Sequence, residues 1–328
     1  MSELRWHPFL EEWVITATHR QDRTFFPPAD YNPLAPTKPG GFPTEIPAPD
    51  YDIVVFENKF PSLQRNAPEP AVEGTELTPV RPAVGVCEVV VYTPQADATL
   101  AELPLEKIEH LIWVWTDRFE ELGSRPEVDY VFIFENKGRE IGVTLSHPHG
   151  QIYAYPFVPP KLKTEVEAAK KHYDKTGRNL YLDVLDQELT DGRRVVLEND
   201  SFVATVPFFA RYPYEVHITA RGVGKAALTD FTKAEQHDLA TILKAILSKY
   251  DNLFGISLPY MMVIHQRPTN GTTEDYPYYQ FHIEFYPPNR TKDKLKYLAG
   301  SEAGAGAYIN DTLAEEKAAE LRALEPKG

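Results

Sequence analysis

Residues 145–155 read LSHPHGQIYAY. Two imidazoles stand two residues apart, split by Pro148 and followed by Gly150 and Gln151, and residues 152–155 continue as a strand. At strand spacing His147, His149 and Gln151 share one face. Pro148 brings no backbone donor, which predicts an edge or a mouth rather than a central ladder position. A row of imidazole, imidazole and amide is expensive to bury idle and suits attack on phosphorus. The plainer reading is a metal-ligand or turn cluster with no nucleophile.

Working outward, the same order of segments occurs twice. Residues 54–63 (VVFENKFPSL) resemble residues 195–209 (VVLENDSFVATVPFF), and residues 87–93 (CEVVVYT) resemble residues 214–220 (YEVHITA). Residues 129–136 (DYVFIFEN) correspond to residues 259–266 (PYMMVIHQ), and residues 146–160 correspond to YYQFHIEFYPP at 278–288. Gln280, His282 and Glu284 then fall on His147, His149 and Gln151. Each half contains an amphipathic helix: residues 105–122, with Ile108, Leu111, Ile112, Trp115 and Phe119 on one face, and residues 232–250. The unit is too long for a solenoid repeat. The expectation is an α+β fold of two related halves, 1–175 and 176–328, with mainly antiparallel strands. Residues 161–175 read as a charged helix leading out of the first half, residues 20–50 as a Pro-rich loop wrapping the body, and the tail from about 310 as a helix.

Composition narrows the function. The 328 residues suffice for one large or two medium domains. A formal net charge of −14 argues against a general nucleic-acid binder, yet leaves room for a few arginines to gather a small anionic substrate. Cys87 is the sole cysteine, so neither an internal disulfide nor a thiolate zinc cluster can form. Residues 1–13 lack an apolar signal core and no run approaches membrane-span length, which makes the cytoplasm the default and predicts no membrane partner.

A neutral imidazole nitrogen is a competent nucleophile near pH 7, and a phosphoramidate splits one phosphate transfer into two easier steps. Gln151 can donate to a non-bridging phosphate oxygen as charge develops there. HPHGQ (146–151 with its preceding serine), FENKF (56–60), FENKG (134–138), HRQDR (19–23), FHIEFYPP (281–288) and YLAGSEAGAG (297–306) together resemble the galactose-1-phosphate uridylyltransferases, within the histidine-triad superfamily. The resemblance spans nearly the whole chain and implies two histidine-triad-like repeats.

The resemblance implies that His149 is the nucleophile and that Gln151 contacts the transferred phosphoryl group. It places Asn58, Phe60, Asn136, Thr144 and His147 near the nucleotide, and Arg20 and Arg23 near phosphates and sugar. Taken by themselves, two arginines three apart in such a loop are ordinarily just solvated. It assigns Lys296, Gly300 and Glu302 to the hexose phosphate, on a segment supplied in many relatives by the partner subunit of a homodimer. Ser301 and Tyr308 depart from the family there. The partners so implied are a UDP-sugar and a hexose 1-phosphate. A nucleoside-diphosphate-sugar phosphorylase, or a transferase of ADP-sugars, is the alternative within the same chemistry, and a non-enzymatic binding scaffold the alternative outside it.

Metals are where the chain departs most. Residues 31–39 (YNPLAPTKP) stand where relatives carry a zinc-binding CxxC pair, and residues 93–97 (TPQAD) where they carry a third ligand. Only His147 of that set is present, so this zinc site is expected to be absent. The second family site keeps Glu165, His265 and His282, with Glu284 replacing a histidine. These four suit zinc or iron, and equally suit a buried hydrogen-bonded cluster without metal.

Overall fold

The computed structural model describes residues 2–23 and 31–326. An N-terminal hairpin, β1 (Ser2–His7) and β2 (Glu12–Ala17), joins β4 (Val80–Pro82) in a small sheet. The other strands of the first half are β3 (Val54–Glu57), β5 (Val86–Val91), β6 (Tyr130–Lys137) and β7 (His149–Tyr155), with helix α1 (Leu105–Gly123) between β5 and β6. Helices α2 (Pro160–Thr176) and α3 (Leu180–Asp191) follow. The second half holds β8 (Val195–Glu198), β9 (Phe202–Thr205), β10 (Val216–Ala220), α4 (Lys233–Leu253), β11 (Tyr260–His265), β12 (His282–Tyr286) and α5 (Ala314–Arg322).

One nine-stranded sheet runs β3-β5-β7-β6-β11-β12-β10-β9-β8. Its strand ladders are antiparallel. This is the α+β fold with mainly antiparallel strands that the sequence predicts. Read outward from the β6–β11 pair, the two sides correspond as β6 with β11, β7 with β12, β5 with β10 and β3 with β9, and β8 is one strand extra. The centre is the β6–β11 pair, in register with Asn136 opposite Met261.

Helices α1 and α4 cover one face of the sheet. Ile108, Leu111, Ile112, Trp115, Phe119 and Leu122 of α1 are buried there, as the three-and-four spacing requires, together with Leu239, Leu243 and Leu247 of α4. Each large apolar side chain so buried contributes roughly 1.5–3 kcal/mol. Ile152 and Ala154 of β7 and Ile283 and Phe285 of β12 point into that core. Strand alternation therefore puts His149 and Gln151, and likewise His282 and Glu284, on the opposite face. Both polar constellations belong to one face of one sheet.

Three readings change. First, β7 is an interior strand between β5 and β6, not an edge. Pro148 is tolerated because pairing begins one residue later, at His149 opposite Val91, while its carbonyl accepts from Tyr92 N–H at 3.2 Å. Second, α3 has no counterpart in the sequence reading. The Asn179 side chain caps it, accepting from the N–H groups of Tyr181 and Leu182. Third, the N-terminal hairpin was not anticipated. Among the described residues no helix is long and apolar enough to cross a membrane.

Candidate active site

His149 opens β7 at the floor of a cleft of about 470 Å³, a size suited to a nucleotide-scale ligand. Its Nδ1–H donates to the His147 backbone carbonyl at 2.7 Å. A carbonyl can only accept, so the ring's lone pair lies on Nε2. Burial pushes the His149 pKa below its ordinary value, which keeps the ring neutral near pH 7. Those two conditions, a fixed tautomer and no proton on the attacking nitrogen, are what a nucleophile needs.

Gln151, one strand period along, also lines the cleft. Its Oε1 accepts from Asn58 Nδ2 and from the Tyr153 hydroxyl, each at 3.4 Å. The Asn58 orientation is fixed in turn, because its Oδ1 accepts from Phe60 N–H at 2.9 Å. Gln151 thus has its carbonyl end committed to protein donors. Arg20 reaches the same network by donating to the Tyr153 hydroxyl at 3.3 Å. His19 donates to the Pro61 carbonyl at 2.9 Å, tying the turn that carries Arg20 to the loop after Asn58.

Phe60, Asn136 and Thr144 also line the cleft, with Phe56, Leu34 and Leu145 as apolar walls. The Arg23 side chain lies outside the described residues. Lys296, Gly300 and Glu302 do not line this cleft. Lys296 and Glu302 pair with each other at 3.1 Å, and the lysine holds the Glu302 carboxyl at about 2. Ser301 donates to the Ala307 carbonyl at 2.7 Å, and Arg211 lies over the Tyr308 ring.

His147 precedes the strand, is buried, and does not line the cleft. Both its ring nitrogens are engaged: Nδ1 by the Asn32 side-chain amide at 2.9 Å, and Nε2 by the Thr93 carbonyl at 2.7 Å. The Tyr51 hydroxyl is the third group against the ring, 3.3 Å from Nε2. An amide NH2, a hydroxyl and a carbonyl are not the thiolate and imidazole donors of a structural zinc site. These residues do not fit that metal.

A second cluster, drawn from α2, β11 and β12, differs. Glu165 of α2, His265 of β11, and His282 and Glu284 of β12 offer ligand atoms all within 4.8 Å of one another, buried except for the half-buried Glu165. His282 Nδ1–H donates to the Gln280 carbonyl at 2.9 Å, the same contact that His149 makes to His147. His265 Nδ1 is 2.9 Å from Glu165. Burial opposes ionisation of both carboxyls, but the imidazoles beside them outweigh it and hold Glu165 and Glu284 below the usual carboxylate range. Burial keeps His265 below its ordinary value, as a ligand imidazole requires. Two carboxylates and two imidazoles suit a divalent metal. Lys161 already donates to Glu284 at 2.5 Å, and Arg211 lies 3.4 Å from the same oxygen.

Sequence reasoning missed Asn32, Tyr51, Tyr153, Lys161 and Arg211. Only Asn32 carried a local signal, since Asn followed by Pro marks a side-chain-stabilised turn.

Comparison with known proteins shows the family. Residues 1–159 match the family described as "Galactose-1-phosphate uridyl transferase, N-terminal domain", and residues 165–327 match its C-terminal domain. The galactose-1-phosphate uridylyltransferase of Thermotoga maritima is 42% identical over 327 residues, covering 99% of each chain. That of Streptomyces lividans is 39% identical over 303 residues, covering 88% of this chain and 77% of its own. A solved structure described as "Structure of uridylyltransferase" superposes with a TM-score of 0.87 at 35% identity, covering 98% of this chain and 97% of that one. With a neutral, oriented imidazole at the floor of the cleft and the two family domains matched over residues 1–159 and 165–327, the chain belongs to the galactose-1-phosphate uridylyltransferase family of transferases.

Proposed function

We propose that the protein moves UMP from UDP-glucose to galactose 1-phosphate through a uridylyl-histidine. The observation that carries this reading is the His149 tautomer: Nδ1–H is spent on the His147 carbonyl, so Nε2 presents its lone pair. Nε2 attacks the α-phosphorus, a P–N bond forms, and the P–O bond to glucose 1-phosphate breaks. Galactose 1-phosphate then attacks the same phosphorus from its phosphate oxygen, and the P–N bond returns its electron pair to Nε2. The leaving glucose 1-phosphate and the entering galactose 1-phosphate are already anionic, and the imidazole departs as a neutral ring, so no strong general acid is needed. Gln151 stabilises the charge that develops on a non-bridging oxygen, and Asn58, Phe60, Asn136 and Thr144 seat the nucleotide.

The test is incubation with UDP-glucose labelled in the uridine moiety. A covalent UMP adduct that vanishes in His149→Ala and is discharged by galactose 1-phosphate supports the reading. Absence of adduct from the wild-type protein refutes it. Discharge by inorganic phosphate alone, or charging by an ADP-sugar alone, would shift the assignment to the phosphorylase or ADP-sugar alternative.

Glu165, His265, His282 and Glu284 would hold zinc or iron, which when bound ties α2 to β11 and β12 and has a structural part to play. We read the cytoplasm as the compartment and 1–175 and 176–328 as the two repeats, the latter supported by the strand order. The active unit in this reading is a homodimer with shared sites. Phe208, Tyr297, Ile309 and Leu313 are each more than half exposed, on segments that meet where Asn310 donates to the Ala210 carbonyl. Exposed large apolar side chains of this kind, near the Lys296–Glu302 segment, support the homodimer reading.

A further inference from the structure

We propose that Asn32 is a positioning residue for the nucleophile, and that its amide, together with the Thr93 carbonyl, takes over at His147 the place of a metal ion. The inference rests on the uridylyl-transfer reading above. Asn32 and Thr93 come from the two segments, 31–39 and 93–97, that the family resemblance gives to zinc ligands. The same segments converge on the same imidazole here through hydrogen bonds.

The polarity of the relay is determined. Leu34 N–H donates to Asn32 Oδ1 at 3.0 Å, so the other end of that amide, Nδ2–H, faces His147 Nδ1 at 2.9 Å. Nδ1 therefore accepts, the ring proton sits on Nε2, and it is donated to the Thr93 carbonyl at 2.7 Å. With both nitrogens used and the side chain buried, residue 147 has one orientation. The carbonyl of that residue is the acceptor that orients His149 at 2.7 Å. Asn32 thus acts on the reacting nitrogen through one imidazole and one peptide group.

The loop bearing Asn32 is anchored independently of the relay. Leu34 and Ile46 are buried against Val89 and Val91. The Tyr51 hydroxyl lies 3.1 Å from the Leu34 carbonyl and 2.9 Å from the Thr93 carbonyl, strapping the two segments together. The loop has its own apolar anchor, so the donor at position 32 can be altered without unfolding it.

The decisive pair of variants is Asn32→Ala and Asn32→Asp. Aspartate keeps the acceptor for Leu34 N–H, and hence the turn, but offers His147 no donor. A relay role predicts that both variants charge His149 with UMP about 10–100-fold more slowly in single turnover, with the Kd for UDP-glucose within about twofold of wild type. A purely structural role of the turn predicts that Asn32→Asp charges at the wild-type rate, and that result overturns the proposal. So does a parallel loss of nucleotide affinity and melting temperature in both variants. The 15N signals of the His147 ring provide a readout that needs no turnover. The wild type should show the neutral Nε2–H form, and Asn32→Asp, which sets a carboxylate against Nδ1, should lose it. A wild-type protein with that tautomer but no UMP adduct would sink the transfer reading and leave the relay standing. A different tautomer in the wild type would sink the relay alone.

Discussion

Gly150→Ala tests how the strand that carries the proposed nucleophile is seated. Gly150 lies between His149 and Gln151 and points to the opposite face, where the Tyr92 ring closes against it. A methyl carbon at this position would fall inside contact distance of the Tyr92 hydroxyl oxygen and 3.0 Å from the Phe134 carbonyl. Tyr92 cannot retreat freely: it is fully buried and donates to Glu135 Oε2 at 3.2 Å. Overpacking of this kind costs about 1–3 kcal/mol, and disturbing a buried hydrogen bond adds about 1 kcal/mol. Gly150→Ala should therefore lose about 2–4 kcal/mol. Tyr92→Phe by itself should lose about 1–2 kcal/mol, for the donor that Glu135 no longer has.

The double variant removes the offending oxygen but leaves the Tyr92 Cζ position at 3.1 Å from the new methyl. It should be less destabilised than the sum of the singles by about 1–2 kcal/mol. Urea unfolding of all four proteins measures this, and single-turnover charging by UDP-glucose measures the displacement of His149. Gly150→Ala should charge about tenfold more slowly or worse, with partial recovery in the double variant. Strictly additive stabilities, or a Gly150→Ala protein as stable as wild type, would refute the packing argument.

Two further outcomes follow from buried charge. Burial raises the Glu135 carboxyl from 4.5 to about 7, against the opposing influence of the Tyr260 hydroxyl, Lys137 and the Tyr92 hydroxyl. The folded protein then holds a proton that the unfolded chain releases, so stability falls as pH rises from about 4.5 to 7 and levels off above. That gap corresponds to roughly 3 kcal/mol. Glu135→Gln should abolish the fall, gaining on wild type by up to about 3 kcal/mol between pH 5 and pH 8 in chemical denaturation; an unchanged pH profile would count against it. At the second cluster, an incoming divalent ion must take Glu284 from Lys161. Removing one charge-assisted hydrogen bond is worth about 1.5 kcal/mol, or about tenfold in affinity. Lys161→Met should bind zinc about tenfold more tightly than wild type by calorimetry; equal affinities would show that the ammonium does not compete.

Much of this molecule is legible from its chain because the relevant patterns are local. The recurrence of HPHGQ as QFHIE is a match between two short runs far apart in the chain, whereas the period-two alternation around His149 and the apolar stripes that became α1 and α4 depend on neighbours a few residues away. So does the absence of cysteines from residues 31–39. The chain by itself therefore determined the α+β class and the lack of thiolate ligands in residues 31–39, and it singled out His149 and the internal recurrence on which the proposed nucleophile and the proposed halves rest. Tertiary structure decided what lies far apart in sequence and meets in space. The interior place of β7 follows from which strands flank it, and Pro148 constrains only its own residue. Asn32 and Thr93 reach His147 from sites 115 and 54 residues away. Lys161 lies 123 residues from Glu284. No periodicity carries such contacts. They arise because the sheet brings its strand ends together and burial requires every polar group there to find a partner.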